Sequence, residues 1–375
     1  MKLMPLLAGI LIIAGVSLCS GQDPNSTIEN TQMPRSPIGF VKGFSWGTFG
    51  RNGEYSSPQA EESIKLLAET NANYVSIVFA IMMRTKNSPE IFWGRMNPYM
   101  ASDEDIRYAI RLAQKNNLNV ILKPVVNCAD GQWRGYINFK TVLGKPDYPS
   151  WELWWKNYSA AMVHYAKLAQ DTNCRLFCIG CEMNETETFE SDWRKLVAEI
   201  RKNYRGPLTY NANHGRETNL AWWDAVDMIG ISAYYPVGTS NTQAALAEDM
   251  NNLDKNSSLE EMNRNWAPIC RRLRQLALKW NRPVLFMEIG VRSAKGSSAV
   301  PWEWYNDWPY DAQEQARYYQ AALENFWNEP WFAGYAWWAW HSYLYPKEEA
   351  ASDRSFCPYG KPAEDIVKSW YGKKR

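Results

Sequence analysis

Two short apolar runs each end in a single glutamate: Leu176-Phe-Cys-Ile-Gly-Cys leads into Glu182, and Val284-Leu-Phe-Met leads into Glu288. Each reads as a buried strand delivering a carboxylate at its C-terminal end. In a barrel of alternating strands and helices, that end is where reacting groups gather. Two carboxylates facing one another across such a rim are the minimum apparatus for breaking a glycosidic bond. A separation of about 5–5.5 Å lets one attack the anomeric carbon while the other protonates the leaving oxygen. The competing reading is a pair of strand-end salt bridges, with Arg84 or Arg134 as the cation. Glu185, Glu187 and Glu190 are rival acids, but they follow the apolar run, where a solvated loop is expected.

The elements that must position the two glutamates form eight strand-helix repeats. Strands are expected at Val41 to Phe49, Tyr74 to Met83, Asn119 to Asn127, Arg175 to Met183, Leu208 to Asn213, Met228 to Tyr235, Pro283 to Ile289 and Phe332 to Trp340. Glu182 then belongs to the fourth strand and Glu288 to the seventh, three strands apart in a ring of eight and facing across its mouth. The strands are continuous apolar runs, as a parallel sheet covered on its outer side requires. Ser57-Pro58 with Glu61, and Ser102 with Glu104 and Asp105, carry the capping and first-turn chemistry of helix starts. Further helices are expected over Ser150 to Gln170 and Pro362 to Trp370. Gly43-Phe-Ser-Trp-Gly47 lacks the glycine spacing of a dinucleotide-binding turn, and no Walker sequence occurs, which argues against a doubly wound sheet. The expected architecture is a single-domain α/β fold, a (β/α)8 TIM barrel over residues 39–375.

With 22% charged residues, 46% hydrophobic residues and a net charge of +1, the 375-residue chain is neither disordered nor charged for nucleic acid. The unusual component is aromatic: 20 Trp and 21 Tyr. Some must fill a large core. The remainder suit a cleft for sugars, whose C–H faces pack on aromatic rings. His164, His214 and His341 are far apart and lack ligand spacing, so no metal site and no cofactor are expected. Cys178 and Cys181 lie three apart on an expected strand, which would point them to opposite faces as small buried residues and not as a redox or zinc pair.

Met1-Lys2 followed by the apolar stretch Leu3 to Leu18 reads as an export signal over residues 1–21, and residues 22–38 as a flexible tether. Cys19 is a candidate lipid-anchor site; cleavage after Gly21 is the alternative. An exported protein, periplasmic or at the cell surface, is expected.

Seven segments occur in order along the chain: Lys123-Pro-Val-Val-Asn127, Gln132-Trp-Arg-Gly135, Ile179-Gly-Cys-Glu182, Gly206-Pro-Leu-Thr-Tyr210, Ile229-Gly-Ile-Ser-Ala-Tyr-Tyr-Pro236, Met287-Glu-Ile-Gly290 and Gly360-Lys-Pro-Ala-Glu364. Together they resemble glycoside hydrolase family 113, barrel-fold β-mannanases, from about Val41 to Gly372. The resemblance implies Glu182 as acid/base and Glu288 as nucleophile. It also carries two departures: Val125 stands where the family commonly has His, and Cys181 where it commonly has a small hydroxyl residue.

Position along the strands nominates further substrate contacts. Trp46, Trp338 and Trp340 are expected near the mouth as stacking platforms, with core packing as the alternative for each. Asn127, Trp133 and Arg134 belong to the end of the third strand and its loop, and Asn211, Asn213 and His214 to the end of the fifth. Tyr234 or Tyr235 is placed to hydrogen-bond Glu288. The aromatic loop Pro301 to Trp308 is expected to wall one end of the cleft, with a surface docking patch as the alternative. The expected function is retaining hydrolysis of β-1,4-mannosidic bonds in mannan, glucomannan or manno-oligosaccharides, the saccharide being the expected partner. The alternatives are a retaining glycosidase on another β-linked glycan and a non-catalytic glycan-binding barrel.

Overall fold

The computed structural model describes residues 33–47, 49–94, 100–238 and 257–375. The expected export signal with Cys19, the tether as far as residue 32, and residues 239–256 between the sixth and seventh strands lie outside the described residues. The last part of the expected tether is packed: Ile38 is buried, and its carbonyl accepts a 2.7 Å hydrogen bond from the Tyr74 hydroxyl.

Eight parallel strands, β1 (Val41–Trp46), β2 (Tyr74–Met83), β3 (Asn119–Cys128), β4 (Leu176–Cys181), β5 (Leu208–Asn213), β6 (Met228–Ser232), β7 (Val284–Ile289) and β8 (Phe332–Trp340), pair in chain order. Strand β8 returns to β1 and closes the barrel. The outer layer holds α1 (Pro58–Ala68), α2 (Asp103–Lys115), α3 (Tyr148–Asp171), α4 (Glu190–Arg201), α5 (Leu259–Trp280), α6 (Ala312–Phe326) and α7 (Pro362–Tyr371).

The caps form as the sequence predicts. The Ser57 hydroxyl accepts from the Ala60 N–H, and Ser102 and Asp105 exchange the reciprocal bonds of a capping box at the start of α2.

One repeat lacks its helix. Among the described residues, the link from β5 to β6 carries only a short 3-10 turn, Trp223–Ala225. Aromatics fill the space that a helix would cover: Trp222 stacks on Trp193 of α4 at 4.8 Å and 15°. Trp154 stacks on Tyr158 within α3, and Trp337 of β8 stacks on Tyr319 of α6, joining strand to helix. Much of the tryptophan content therefore builds the layer between barrel and helices, where burial of large rings contributes most.

Inside the barrel the packing is smaller in scale. Val41, Tyr74, Ile121, Leu176, Met228 and Leu285 form part of an inner cluster that closes its lower half. Above them the inward positions turn polar, with Lys123, Asn211, Ser232 and Glu288 all buried. That change of character marks the site.

Candidate active site

A lysine in the middle of an apolar strand is rare unless it is paired. Lys123 of β3 has no exposed surface, and its ammonium donates to Glu288 Oε1. The same oxygen receives the Asn211 amide at 3.4 Å and the Cys181 thiol at 3.6 Å, while the Tyr234 hydroxyl donates to Oε2 at 2.8 Å. Burial alone would push the Glu288 carboxyl up; the Lys123 charge and hydrogen bond, then Arg134 and Tyr234, outweigh it and hold the group below the ordinary carboxylate range. Cys181 moves the other way. Burial raises its thiol well above its usual value, so it faces Glu288 as a neutral S–H.

Both glutamates reach the interior through irregular strands. In β4 the three steps from Cys178 to Cys181 span the register that two steps, Thr209 to Asn211, cover on β5. Residues three apart therefore both face inward: Cys178 lies in the inner cluster and Cys181 near the mouth beside Val78 and Val125. Strict alternation had put them on opposite faces; the bulge is the reason it fails. On β7 the register slips in the same way between Phe286 and Ile289, so Met287 and Glu288 both point inward while Ile289 packs outside against the helices. Beyond it a side chain at Gly290 would collide with the Trp338 carbonyl, which keeps that position to glycine.

Glu182 follows the β4 bulge in a left-handed conformation, φ +52°, with its N–H bonded to the Asn211 carbonyl at 2.8 Å. A non-glycine residue there stores on the order of 1–2 kcal/mol, a strain typical of sites where a side chain must be aimed. Its Oε2 accepts from Arg134 at 2.9 Å and from the Trp133 indole at 3.4 Å. Arg134 is itself fixed, by the Val126 carbonyl and the Asn127 side chain, each at 2.8 Å. The site thus holds two carboxylates in unlike surroundings: one enclosed by an ammonium, an amide, a thiol and a phenol, the other clamped from the loop side by a guanidinium and an indole.

A family model described as Glycoside Hydrolase Family 113 matches residues 44–361. The chain belongs to glycoside hydrolase family 113. A family 113 β-mannanase from Alicyclobacillus acidocaldarius, solved in complex with ManMIm, superposes with a TM-score of 0.78 at 40% identity, over 90% of this chain and 99% of that one. A family 113 β-1,4-mannanase reaches 0.77 at 33% identity, over 90% and 100% of the two chains. A β-D-glucuronidase of Dictyoglomus thermophilum, 15% identical with a TM-score of 0.57, shares the fold alone, over 90% of this chain and 51% of its own. Comparison with curated proteins finds no match.

Within this family 113 barrel, the residues nominated from sequence separate into groups. Asn127, Trp133, Arg134, Asn211, Tyr234 and Trp338 gather around the two glutamates; Trp338 is half-buried, its ring 6.0 Å from the Lys123 ammonium. Asn213 lies half-buried at the end of β5, paired in register with Ser232. Trp46 and Trp340 do not face the mouth. Both are completely buried on the outer side of the sheet, where their indoles donate to the hydroxyl and the carbonyl of Ser63 on α1, each at 3.2 Å. Tyr235 also points outward, against Trp266 of α5 and the Arg272 guanidinium. Successive residues of an extended strand end take opposite faces, and only Tyr234 takes the inner one.

One other expectation changes. Glu187 is not in a solvated loop: it is buried, bonded to Tyr210 at 3.0 Å and to Arg216 at 2.9 Å, and burial raises its carboxyl. His214 stacks on Trp302 at 5.2 Å, and burial pulls its imidazole down to about 4, which keeps it neutral. Arg84 stands over the Phe92 ring and forms neither glutamate's pair. The residue missed as a site candidate is Lys123. The available signal was a single cation inside an apolar run.

Proposed function

We propose that this family 113 protein hydrolyses β-1,4-mannosidic bonds with retention, Glu288 acting as nucleophile and Glu182 as acid/base. Glu288 Oε2, oriented by Tyr234, attacks the anomeric carbon while Lys123 keeps the carboxylate ionised before attack. Glu182 gives its proton to the leaving oxygen, then takes one from the water that releases the sugar. The observation that carries this reading is the asymmetry of the pair: Glu288 is held below the ordinary carboxylate range, whereas Glu182 meets its partners from the loop side, toward an incoming saccharide. The mannan preference rests on the similar family 113 enzymes, which are β-mannanases.

The test is Glu288→Ala on a panel of β-linked polysaccharides and activated aryl glycosides. Turnover is expected to fall by at least about 10⁴-fold. Azide is expected to restore cleavage of the aryl substrate with inverted product; full activity in that variant ends the reading. We also infer export, with Cys19 as a lipid-anchor candidate, from the apolar N-terminal stretch. The mass of the mature N-terminus distinguishes lipidated Cys19 from cleavage after Gly21.

A further inference from the structure

The backbone around Glu182 is held from β5 by two consecutive residues that face opposite sides of the sheet. Asn211 points into the barrel toward Glu288, and its carbonyl accepts the Glu182 N–H at 2.8 Å. Tyr210 points out into the helix layer, where it meets the rings of Trp193 at 5.0 Å and Trp222 at 5.1 Å, and its hydroxyl accepts the Met183 N–H at 3.0 Å. Those two N–H groups belong to the peptide planes on either side of the Glu182 Cα. Holding both planes fixes φ and ψ of the residue between them, which a left-handed glutamate requires, because a free chain relaxes out of that region.

Glu187 sets the polarity of this arrangement. A backbone N–H can only donate, so the Tyr210 oxygen is an acceptor toward Met183 and must send its own proton elsewhere. That proton goes to Glu187 Oε1 at 3.0 Å, while Arg216 donates to Oε2 at 2.9 Å. Tyr210 and Glu187 are both buried, which strengthens these bonds by keeping water from competing for them. The turn that carries Glu187 is seated in the same layer: the Glu187 carbonyl accepts from the Trp222 indole at 3.1 Å, the Thr186 carbonyl from the Trp193 indole at 3.0 Å and the Asn184 carbonyl from Arg216 at 3.2 Å. The stack of Trp222 on Trp193 thus anchors the turn that follows the acid as well as filling the space of the absent helix. A buried, paired carboxylate contributes little to stability; what this one fixes is the direction of the Tyr210 hydroxyl.

We propose that Tyr210 and Glu187 are positioning residues for the general acid: Arg216, Glu187 and Tyr210 form a relay that clamps the peptide between Glu182 and Met183 and so aims the Glu182 carboxyl at the glycosidic oxygen. This rests on the reading of Glu182 as acid/base. Arg134 and Trp133 hold the Glu182 carboxyl from the loop side, and the relay holds its backbone from the helix side. Tyr210 and Glu187 are buried away from the saccharide, so their effect reaches the reaction through Glu182.

A misaimed acid fails to protonate the departing oxygen, and the loss is felt where the leaving group is a poor one. The experiment compares kcat/KM of the full-length enzyme, which reports the glycosylation step, on manno-oligosaccharides and on a β-mannoside of an acidic phenol. Glu182→Gln sets the scale: its loss on oligosaccharides is expected to exceed its loss on the aryl substrate by at least about a hundredfold. Tyr210→Phe is expected to lose about tenfold on oligosaccharides and less than about twofold on the aryl substrate. Glu187→Gln, which turns an amide toward Arg216 and Tyr210, is expected to show the same split. Tyr204→Phe is the control: it removes a buried tyrosine bond of the same kind, 2.8 Å to the Cys174 carbonyl at the opposite end of β4, and is expected to lower the melting temperature with both rates within about twofold. Equal losses on the two substrates, or no loss, in either Tyr210→Phe or Glu187→Gln overturns the proposal; where Tyr210→Phe does not fold, Glu187→Gln alone decides. Absence of the split in Glu182→Gln is a separate result: it removes Glu182 as the acid, and the role of the relay with it.

Discussion

Lys123 and Glu288 are 165 residues apart in the chain, on strands β3 and β7, and form an ion pair with almost no access to solvent. Such a pair is weak evidence for stability, because desolvating two charges costs about as much as their attraction returns. Its consequence is chemical. A carboxylate at the centre of a barrel, surrounded by Cys181, Asn211 and Tyr234, would otherwise take up a proton; the lysine keeps it a base and a nucleophile.

Lys123→Met removes that compensation while filling the same space. With burial left unopposed, the Glu288 pKa rises, and the acid limb of kcat/KM, which climbs with pH as Glu288 ionises, moves to higher pH. The rate at neutral pH is expected to fall by at least about a hundredfold, consistent with the 3–5 kcal/mol typical of stranding one member of a buried pair. The sign for stability follows the same shift. A carboxylate depressed in the folded state stabilises it above the unfolded pKa and loses that contribution as pH falls through the folded one, so the native enzyme's melting temperature should drop in acid more steeply than the variant's. A pH–rate profile with an unmoved acid limb would remove Lys123 from this role.

Tyr234 and Tyr235 are adjacent, yet one donates to Glu288 Oε2 and the other packs outside the sheet. Tyr234→Phe removes a hydrogen bond to a charged group, worth about 1.5–3 kcal/mol, so kcat is expected to fall about 10–100-fold with an upward shift of the acid limb. Tyr235→Phe is expected to leave kcat and the pH profile within about twofold and to act on melting temperature alone. Equal kinetic losses in the two variants would contradict the division of faces.

How far the sequence carried the site depends on where the strand period holds. Apolar runs with a terminal acid marked Glu182 and Glu288, and repeat length placed them on β4 and β7, because a parallel barrel imposes both features. Facing within the strands was less legible. Counting by two misplaced the Cys178 and Cys181 pair, since a bulge adds a residue without leaving a mark in composition. Trp46 and Trp340 looked like mouth residues by position, but a tryptophan on a barrel strand serves the helix layer equally well, and burial against Ser63 decides it. A helix between β5 and β6 was expected only from the regular alternation of eight repeats; the stretch is a turn capped by aromatic stacking. Glu187 lay past the apolar run and was assigned to solvent, although Arg216 and Tyr210, distant in sequence, enclose it.

Arg134 was nominated as a substrate contact, and its geometry argues for a different task. All three guanidinium nitrogens are engaged, by Glu182, Asn127 and the Val126 carbonyl, which leaves its fork aimed at the acid and not at a sugar. A positioning residue for the general acid has a kinetic signature that a sugar-binding residue lacks. Protonation matters most when the leaving group is a poor one, so Arg134→Ala is expected to slow cleavage of oligosaccharides about a hundredfold while aryl glycosides with acidic phenols lose about tenfold or less. Arg134→Lys keeps the charge but not the planar fork, and it should recover only part of the oligosaccharide rate. Losses of equal size on both substrate types, carried in KM, would return Arg134 to substrate binding and leave Trp133 as the remaining support of Glu182.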